Sequence, residues 1–215
     1  MMMIKVMLVE DHTMVRLGIA LLLKSIPGIR IVGECDNGRT AVQEAVRLNP
    51  DVILMDLSMQ EGMTGFTAIE EAKKALPNVR IVILTMYDGE GFVKQAASMG
   101  VEGYILKNGN SDDLQNAIFH AYQGNVYYRT SIDLEKIQRS LRANKGEPEN
   151  HLTPREQEIV RLTALGLGNR EMAEQLYISI KTVENHKTNI MAKLEISSRK
   201  ELIAYAIKNR YLQLT

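Results

Sequence analysis

Four short runs of nearly uninterrupted apolar residues, Ile4–Val9, Val52–Met55, 81–84 and Gly103–Leu106, recur through the first half of the chain, and each gives way to polar residues at its end. A strand with one wet face alternates apolar and polar residues. A run without alternation belongs to a strand covered on both faces, which is the signature of a parallel sheet. Between the runs lie segments with helical spacing: Thr13–Ser25, with Val15, Ile19, Leu22 and Leu23 on one side, and then 39–48, 66–76, 91–99 and 111–123. Pro27, Pro50 and Pro77, with Gly28, Gly62, Gly65, Gly100 and Gly103, punctuate the junctions. This alternation predicts five βα units in an α/β domain of flavodoxin-like type, a doubly wound five-stranded parallel sheet.

In such a sheet the carboxyl ends of the strands share one edge, and ligands bind there where the strand order reverses. The polar residues that follow the apolar runs are Glu10 and Asp11, Asp56, Thr85 and Lys107. Any one of them alone would read as an ordinary solvated residue. Five at five corresponding places predict a site. Three carboxylates brought together repel unless a cation joins them, and Mg²⁺, which takes hard oxygen ligands and bridges phosphoryl oxygens, suits the set. A carboxylate can itself be a nucleophile and form an acyl phosphate. Asp56, at the end of a central strand, is the candidate acceptor, with Glu10 and Asp11 holding the ion, Lys107 pairing with a phosphoryl oxygen and Thr85 donating to another.

A length of 215 residues accommodates two ordinary domains. Beyond Gly124 no further strand of convincing length is expected. Residues 131–143 read as a short amphipathic helix with Leu134, Ile137 and Leu141 on one side, and 144–150 as a polar linker. The expected division is therefore 1–123, a connecting stretch 124–150, and a helical domain 151–215. Formal charge is balanced overall, yet residues 1–130 hold 12 Lys+Arg against 15 Asp+Glu, while 151–215 hold 10 against 7. The basic excess falls in the second domain. The single cysteine, Cys35, excludes an intrachain disulfide and fits a reducing cytoplasm. No signal peptide or membrane span is legible.

The second domain opens with Thr153-Pro154-Arg155-Glu156, a capping box with proline at the first helical position. Two later segments, 169–177 and 181–194, are spaced as a helix-turn-helix. At 100° per residue Val183, Ile190 and Leu194 share a buried stripe, and Lys181, Glu184, Asn185, Thr188 and Ala192 lie opposite. That outer face carries groups suited to base edges, flanked by Lys187 and Lys193, which could reach phosphates.

At these residues the first half resembles the receiver domain of bacterial two-component response regulators. The resemblance implies phosphorylation of Asp56 by a sensor histidine kinase, Mg²⁺ held by Glu10, Asp11, Asp56 and the Ser58 backbone carbonyl, and a switch pair formed by Thr85 and Tyr104. Ser58 and Tyr87 fall at positions that tune phosphoryl lifetime in that family. The loop after Asp56 departs from its usual pattern, reading Leu57-Ser-Met-Gln60-Glu-Gly-Met63. Residues 151–215 look like the LuxR-type DNA-binding domain, through Leu152 to Glu158, Gly168 to Ala173 and Lys181 to Leu194. The whole chain is similar to the NarL/FixJ group, nearest to its nitrate- or oxygen-responsive members in low-GC Gram-positive bacteria. This implies a cytoplasmic transcription factor that binds double-stranded promoter DNA, engages RNA polymerase and forms a homodimer on phosphorylation. Base contacts are implied for Glu184, Asn185 and Thr188, and backbone proximity for Lys181, His186 and Lys187, with Thr182 in the same stretch. The face built from 91–99, 102–106 and 111–123 is expected to be a dimer or interdomain surface. Two alternatives differ in class. An aspartate-nucleophile phosphohydrolase would carry Asp-x-Asp, which Asp56-Leu57-Ser58 lacks. A phosphorylation-independent transcription factor would have lost members of the acidic cluster, all of which are present here.

Overall fold

A computed structural model describes residues 3–59, 63–133, 135, 152–176, 178–209 and 211. The order is β1 (Ile4–Val9), α1 (Thr13–Ser25), β2 (Ile29–Cys35), α2 (Gly38–Leu48), β3 (Val52–Met55), α3 (Gly65–Ala75), β4 (Arg80–Thr85), α4 (Glu90–Ser98), β5 (Gly103–Leu106), α5 (Ser111–Tyr122) and β6 (Tyr127–Arg129). A helical domain follows: α6 (Pro154–Ala164), α7 (Asn169–Gln175), α8 (Ile180–Lys193) and α9 (Arg199–Lys208). The sheet runs β2-β1-β3-β4-β5-β6, parallel at every pairing.

The two-sided burial read from the apolar runs is visible residue by residue. Met7, Val9, Ile53, Met55, Ile81 and Ile83 face one way, while Val6, Leu8, Val52, Leu54, Val82 and Leu84 face the other. Residues from α2, α3 and α4 cover the first set, and residues from α1 and α5 cover the second. All twelve are buried.

The sheet corrects the sequence reading in one respect, because β6 adds a sixth strand after Gly124. Three residues are too few for periodicity to register. The strand forms because β5 otherwise leaves an edge of unpaired backbone groups, which β6 pairs from Gly103↔Tyr127 to Ile105↔Arg129. Its tyrosines then fasten it. The Tyr127 hydroxyl donates to Asp113 Oδ1 at 2.6 Å, and the Tyr128 hydroxyl to the Val101 carbonyl at 2.9 Å. Of the helix expected over 131–143, residue 134 and all from 136 onward lie outside the described residues, as do 60–62 of the loop after Asp56.

In the second domain the capping box forms as expected: Glu156 N–H donates to Thr153 Oγ1 at 3.3 Å, and Thr153 N–H to Glu156 Oε2 at 2.7 Å. Ile159, Val160, Met172, Val183, Ile190, Leu202 and Ala206 make the core. This core is continuous with that of the first domain. The join is aromatic, with Phe92 of α4 stacked on Tyr87 (centroids 4.6 Å apart) and leaning on Tyr211 (5.1 Å). The face containing α4 is thus an interdomain surface.

Candidate functional site

Register brings the first site together. Val9 pairs with Met55, so the residues that follow, Glu10 and Asp56, stand side by side where the order β2-β1-β3 reverses, and Asp56 N–H donates to the Val9 carbonyl at 3.0 Å. Glu10 and Asp56 are each 1% exposed. Lys107 leaves β5 with its N–H on the Thr85 carbonyl (2.9 Å), which aims its side chain back across the edge. Its ammonium lies 2.6 Å from Glu10 Oε2 and 2.9 Å from Asp56 Oδ2. Ser58 N–H donates to Asp56 Oδ1 at 3.1 Å, so the chain curls over its own carboxylate. Gly65, which begins α3, lets that helix start against the same stretch, because a Cβ there would overlap the Asp56 carbonyl oxygen.

The charges do not balance. The Lys107 ammonium faces two carboxylates, Glu10 and Asp56, and among the described residues neither Glu10 Oε2 nor Asp56 Oδ2 receives an aligned hydrogen bond. Burial, and then the Asp56 charge, push the Glu10 carboxyl above its usual range, against the pull of Lys107. Burial pulls Lys107 down, but Asp56 and Glu10 outweigh it and hold the ammonium above its ordinary value. Buried oxygens with residual negative charge are the donor set a hard divalent cation takes. The sequence reading missed His12. Its Nδ1 lies 2.7 Å from Asp11 Oδ1, and one ligand atom each from Glu10, Asp11, His12 and Asp56 falls within 4.8 Å of the others. Its place directly after Glu10-Asp11 was the available signal.

Thr85 and Tyr104 are both fully buried, with Tyr104 already turned inward under the ring of Tyr128. They are joined through Tyr87. Its N–H donates to Thr85 Oγ1 at 3.3 Å, and its carbonyl accepts from the Tyr104 hydroxyl at 2.7 Å.

The second site is the outer face of α8, capped by Ser179, whose Oγ accepts from Thr182 N–H at 3.0 Å. Val183 and Ile190 are buried, and Leu194 half-buried, as the wheel predicts. Lys181, Glu184, Asn185, Thr188 and Ala192 are all exposed, with Thr182, His186 and Lys187 half-buried at the margins. Two flanking lysines are already engaged. Lys187 Nζ donates to Asn169 Oδ1 at 2.7 Å, and Lys193 Nζ pairs with the buried Glu156 at 2.6 Å. Before α7, Gly168 offers no capping side chain, but Glu171 Oε2 reaches back to its N–H at 2.6 Å.

A buried acidic sheet edge and an open helix-turn-helix in one chain have a counterpart among known families. Residues 6–119 match the response regulator receiver domain, and 150–206 match the bacterial regulatory proteins of the luxR family. The chain belongs to the two-component response regulators. Within them it is similar to the oxygen regulatory protein NreC of Staphylococcus aureus, at 39% identity over 97% of this chain and 99% of that one, which places this response regulator in the NarL/FixJ group. Among solved structures it resembles the RcsB response regulator of Salmonella typhimurium (28% identity, TM-score 0.73, 97% and 98% of the two chains). It also resembles RcsB of Salmonella enterica serovar Typhimurium bound to promoter rprA in the presence of phosphomimetic BeF3⁻ (29%, 0.68, 94% and 98%). No helix among the described residues of this response regulator is long and apolar enough to cross a membrane.

Proposed function

We propose that this response regulator accepts a phosphoryl group on Asp56 from a sensor histidine kinase and answers by dimerising on promoter DNA. The observation that carries the reading is the convergence of buried Glu10 and Asp56 with Lys107 at the sheet edge. An Asp56 oxygen attacks the phosphorus of a phosphohistidine, the P–N bond breaks, and its electron pair stays on the imidazole. Asp11, Asp56 and the Ser58 carbonyl, with Glu10 behind them, would hold Mg²⁺, which when bound neutralises charge on the transferring group. Lys107 and Thr85 then meet an acceptor carrying about two more negative charges. A unit pair at 4 Å and an effective dielectric near 20 is worth about 4 kcal/mol before desolvation. Moving a two-state population from 1:99 to 99:1 takes about 5.5 kcal/mol, so this edge can supply much of the bias. Thr85 and Tyr104 pass it outward as the switch pair.

Residues 1–123 form the receiver in this reading, 124–150 the connection and 151–215 the output domain. On α8, Glu184, Asn185 and Thr188 read bases, while Lys181, Thr182, His186 and Lys187 lie toward the phosphates. With a formal charge of about +3 the output domain has few charges for holding DNA alone. Two half-sites about 10 base pairs apart, occupied by a dimer, would combine their binding energies. RNA polymerase is the expected partner at the promoter, in the cytoplasm.

Treatment with a small phosphodonor should place one Mg²⁺-dependent phosphoryl group on the chain, lost entirely in Asp56→Ala, and sedimentation should show a monomer becoming a dimer. Undiminished labelling of Asp56→Ala would reject the assignment. Labelling without any change in mass or operator affinity would favour the phosphorylation-independent alternative.

A further inference from the structure

The short strand β6 is gripped from the switch side at two points. Tyr104 and Tyr128 are register partners across β5 and β6, with ring centroids 5.8 Å apart and planes inclined at 36°. Because β6 is the edge strand, Tyr128 stands between Tyr104 and the open side of the sheet, and Tyr104 is fully buried. The second grip comes from the loop between β4 and α4. Thr85 Oγ1 accepts from Tyr87 N–H at 3.3 Å, and the Tyr87 carbonyl accepts from the Tyr104 hydroxyl at 2.7 Å. The next residue, Asp88, accepts the Ser131 N–H with both carboxylate oxygens, at 3.0 and 3.1 Å. Ser131 lies just beyond β6, on the connection that continues to the output domain. Otherwise the strand is fastened only at its margins, with the Tyr128 hydroxyl on the Val101 carbonyl and with Tyr127 and Arg129 on Asp113. An edge element of three residues, paired on one side, sits at the low end of local stability and is easily biased.

We propose that β6 is the strap that reports the state of the acceptor to the output domain, seated while Tyr104 is inward and released when it is not, with Tyr128 and Asp88 as its positioning residues. The inference rests on Asp56 being the phosphoacceptor and adds how that site is read out. Thr85 drawn to the phosphoryl group favours the inward Tyr104, whose ring is the surface on which Tyr128 packs. A Tyr104 ring swung toward the open side meets Tyr128 and lifts β6 from β5. The acceptor thus biases one element with two arrangements, which is what coupling physically requires. Seating fixes the point from which the connection leaves the receiver, whereas release adds free chain between the domains. In a dimer a fixed point of departure raises the effective concentration of the second output domain at its half-site.

Amide hydrogen exchange of the full-length chain, read before and after treatment with the small phosphodonor, tests the strap. In the wild type, residues 127–131 should exchange about tenfold more slowly once Asp56 is phosphorylated. Asp88→Ala and Tyr128→Ala should take up the phosphoryl group at wild-type stoichiometry, yet lose most of that added protection and most of the phosphorylation-dependent gain in operator affinity. Tyr128→Phe keeps the ring against Tyr104 and should retain both. Asp88 is half-buried in a loop, so its variant keeps the test open even if Tyr128→Ala disturbs the sheet edge. Exchange over 127–131 that phosphorylation leaves unmoved, or accelerates, overturns the inference. A full gain in operator affinity in either alanine variant does so too. A wild-type chain that takes no label overturns the phosphoacceptor reading itself, a distinct outcome.

Discussion

At the receiver edge Glu10, Asp56 and Thr85 are each no more than 1% exposed, whereas on α8 Lys181, Glu184, Asn185 and Thr188 all face solvent. The two regions serve recognition by opposite means. At the edge, charges are withdrawn from water with like charges held side by side, so the site is costly to keep and strongly responsive to whatever neutralises it. On α8 the apolar stripe, the Ser179 cap and the lysines at its margins hold the helix, and the outer face is free to be chosen for its chemistry. Substitutions at the first region should therefore alter stability and pH response together. At the second, stability and recognition should separate cleanly.

The sharpest way to break that comparison is to remove the stripe. Ile190→Ala empties a fully buried site and should cost ~2–5 kcal/mol in chemical unfolding of the output domain. Phosphoryl uptake by Asp56 should remain stoichiometric. Parallel loss of uptake would mean that the continuous core makes one cooperative unit of the two domains, and that the contrast is one of surface only.

A smaller effect, and the complementary one, is expected on the outer face. Asn185→Ala should weaken operator binding by ~1–3 kcal/mol and relax preference at one base pair in each half-site. Its thermal stability should stay within about 0.5 kcal/mol of the parent, as for other surface substitutions. Lys181→Ala should weaken all sequences alike and lower the salt slope by about 0.9. Lys187→Ala should lower it less, because that ammonium already serves Asn169. Titrations over a randomised half-site at two salt concentrations measure all three. A preferred sequence changed by Lys181→Ala and untouched by Asn185→Ala would reverse the proposed orientation of α8.

The smallest effect sharpens the receiver side. Folding raises the Glu10 carboxyl above its ordinary 4.5. The sign follows from linkage: such a group favours the folded chain below pH 4.5, and that contribution is lost as pH rises through the folded value. Without divalent cations, Glu10→Gln should therefore melt a few degrees above the parent at pH 7, and the two should converge below pH 4.5. Lys107 keeps Asp56 as its partner in this variant. Saturating Mg²⁺ should narrow the gap at pH 7. A variant less stable than the parent at neutral pH would mean that the pair with Lys107 outweighs the cost of burying Glu10.

Much of this was legible locally. Unbroken apolar runs announce strands buried on both sides, and the edge at which they stop collects Glu10, Asp56, Thr85 and Lys107 whatever the details of packing. The 3.6-residue period of α8 separates Val183 and Ile190 from Asn185 and Thr188 without reference to any neighbour, and Thr153 with Glu156 announces the start of α6. What tertiary structure decided involves partners distant in sequence. The strand β6 exists because β5 has an edge to fill, and three residues carry no period of their own. His12 joins the acidic cluster because β1 ends beside β3, a matter of register. Tyr87 stacks on Phe92, which leans on Tyr211 and so meets the output domain across more than a hundred residues of chain. Periodicity and capping are set by neighbours a few residues away, so a sequence states them directly. The joining of two preformed surfaces is set by the shapes that folding has already made.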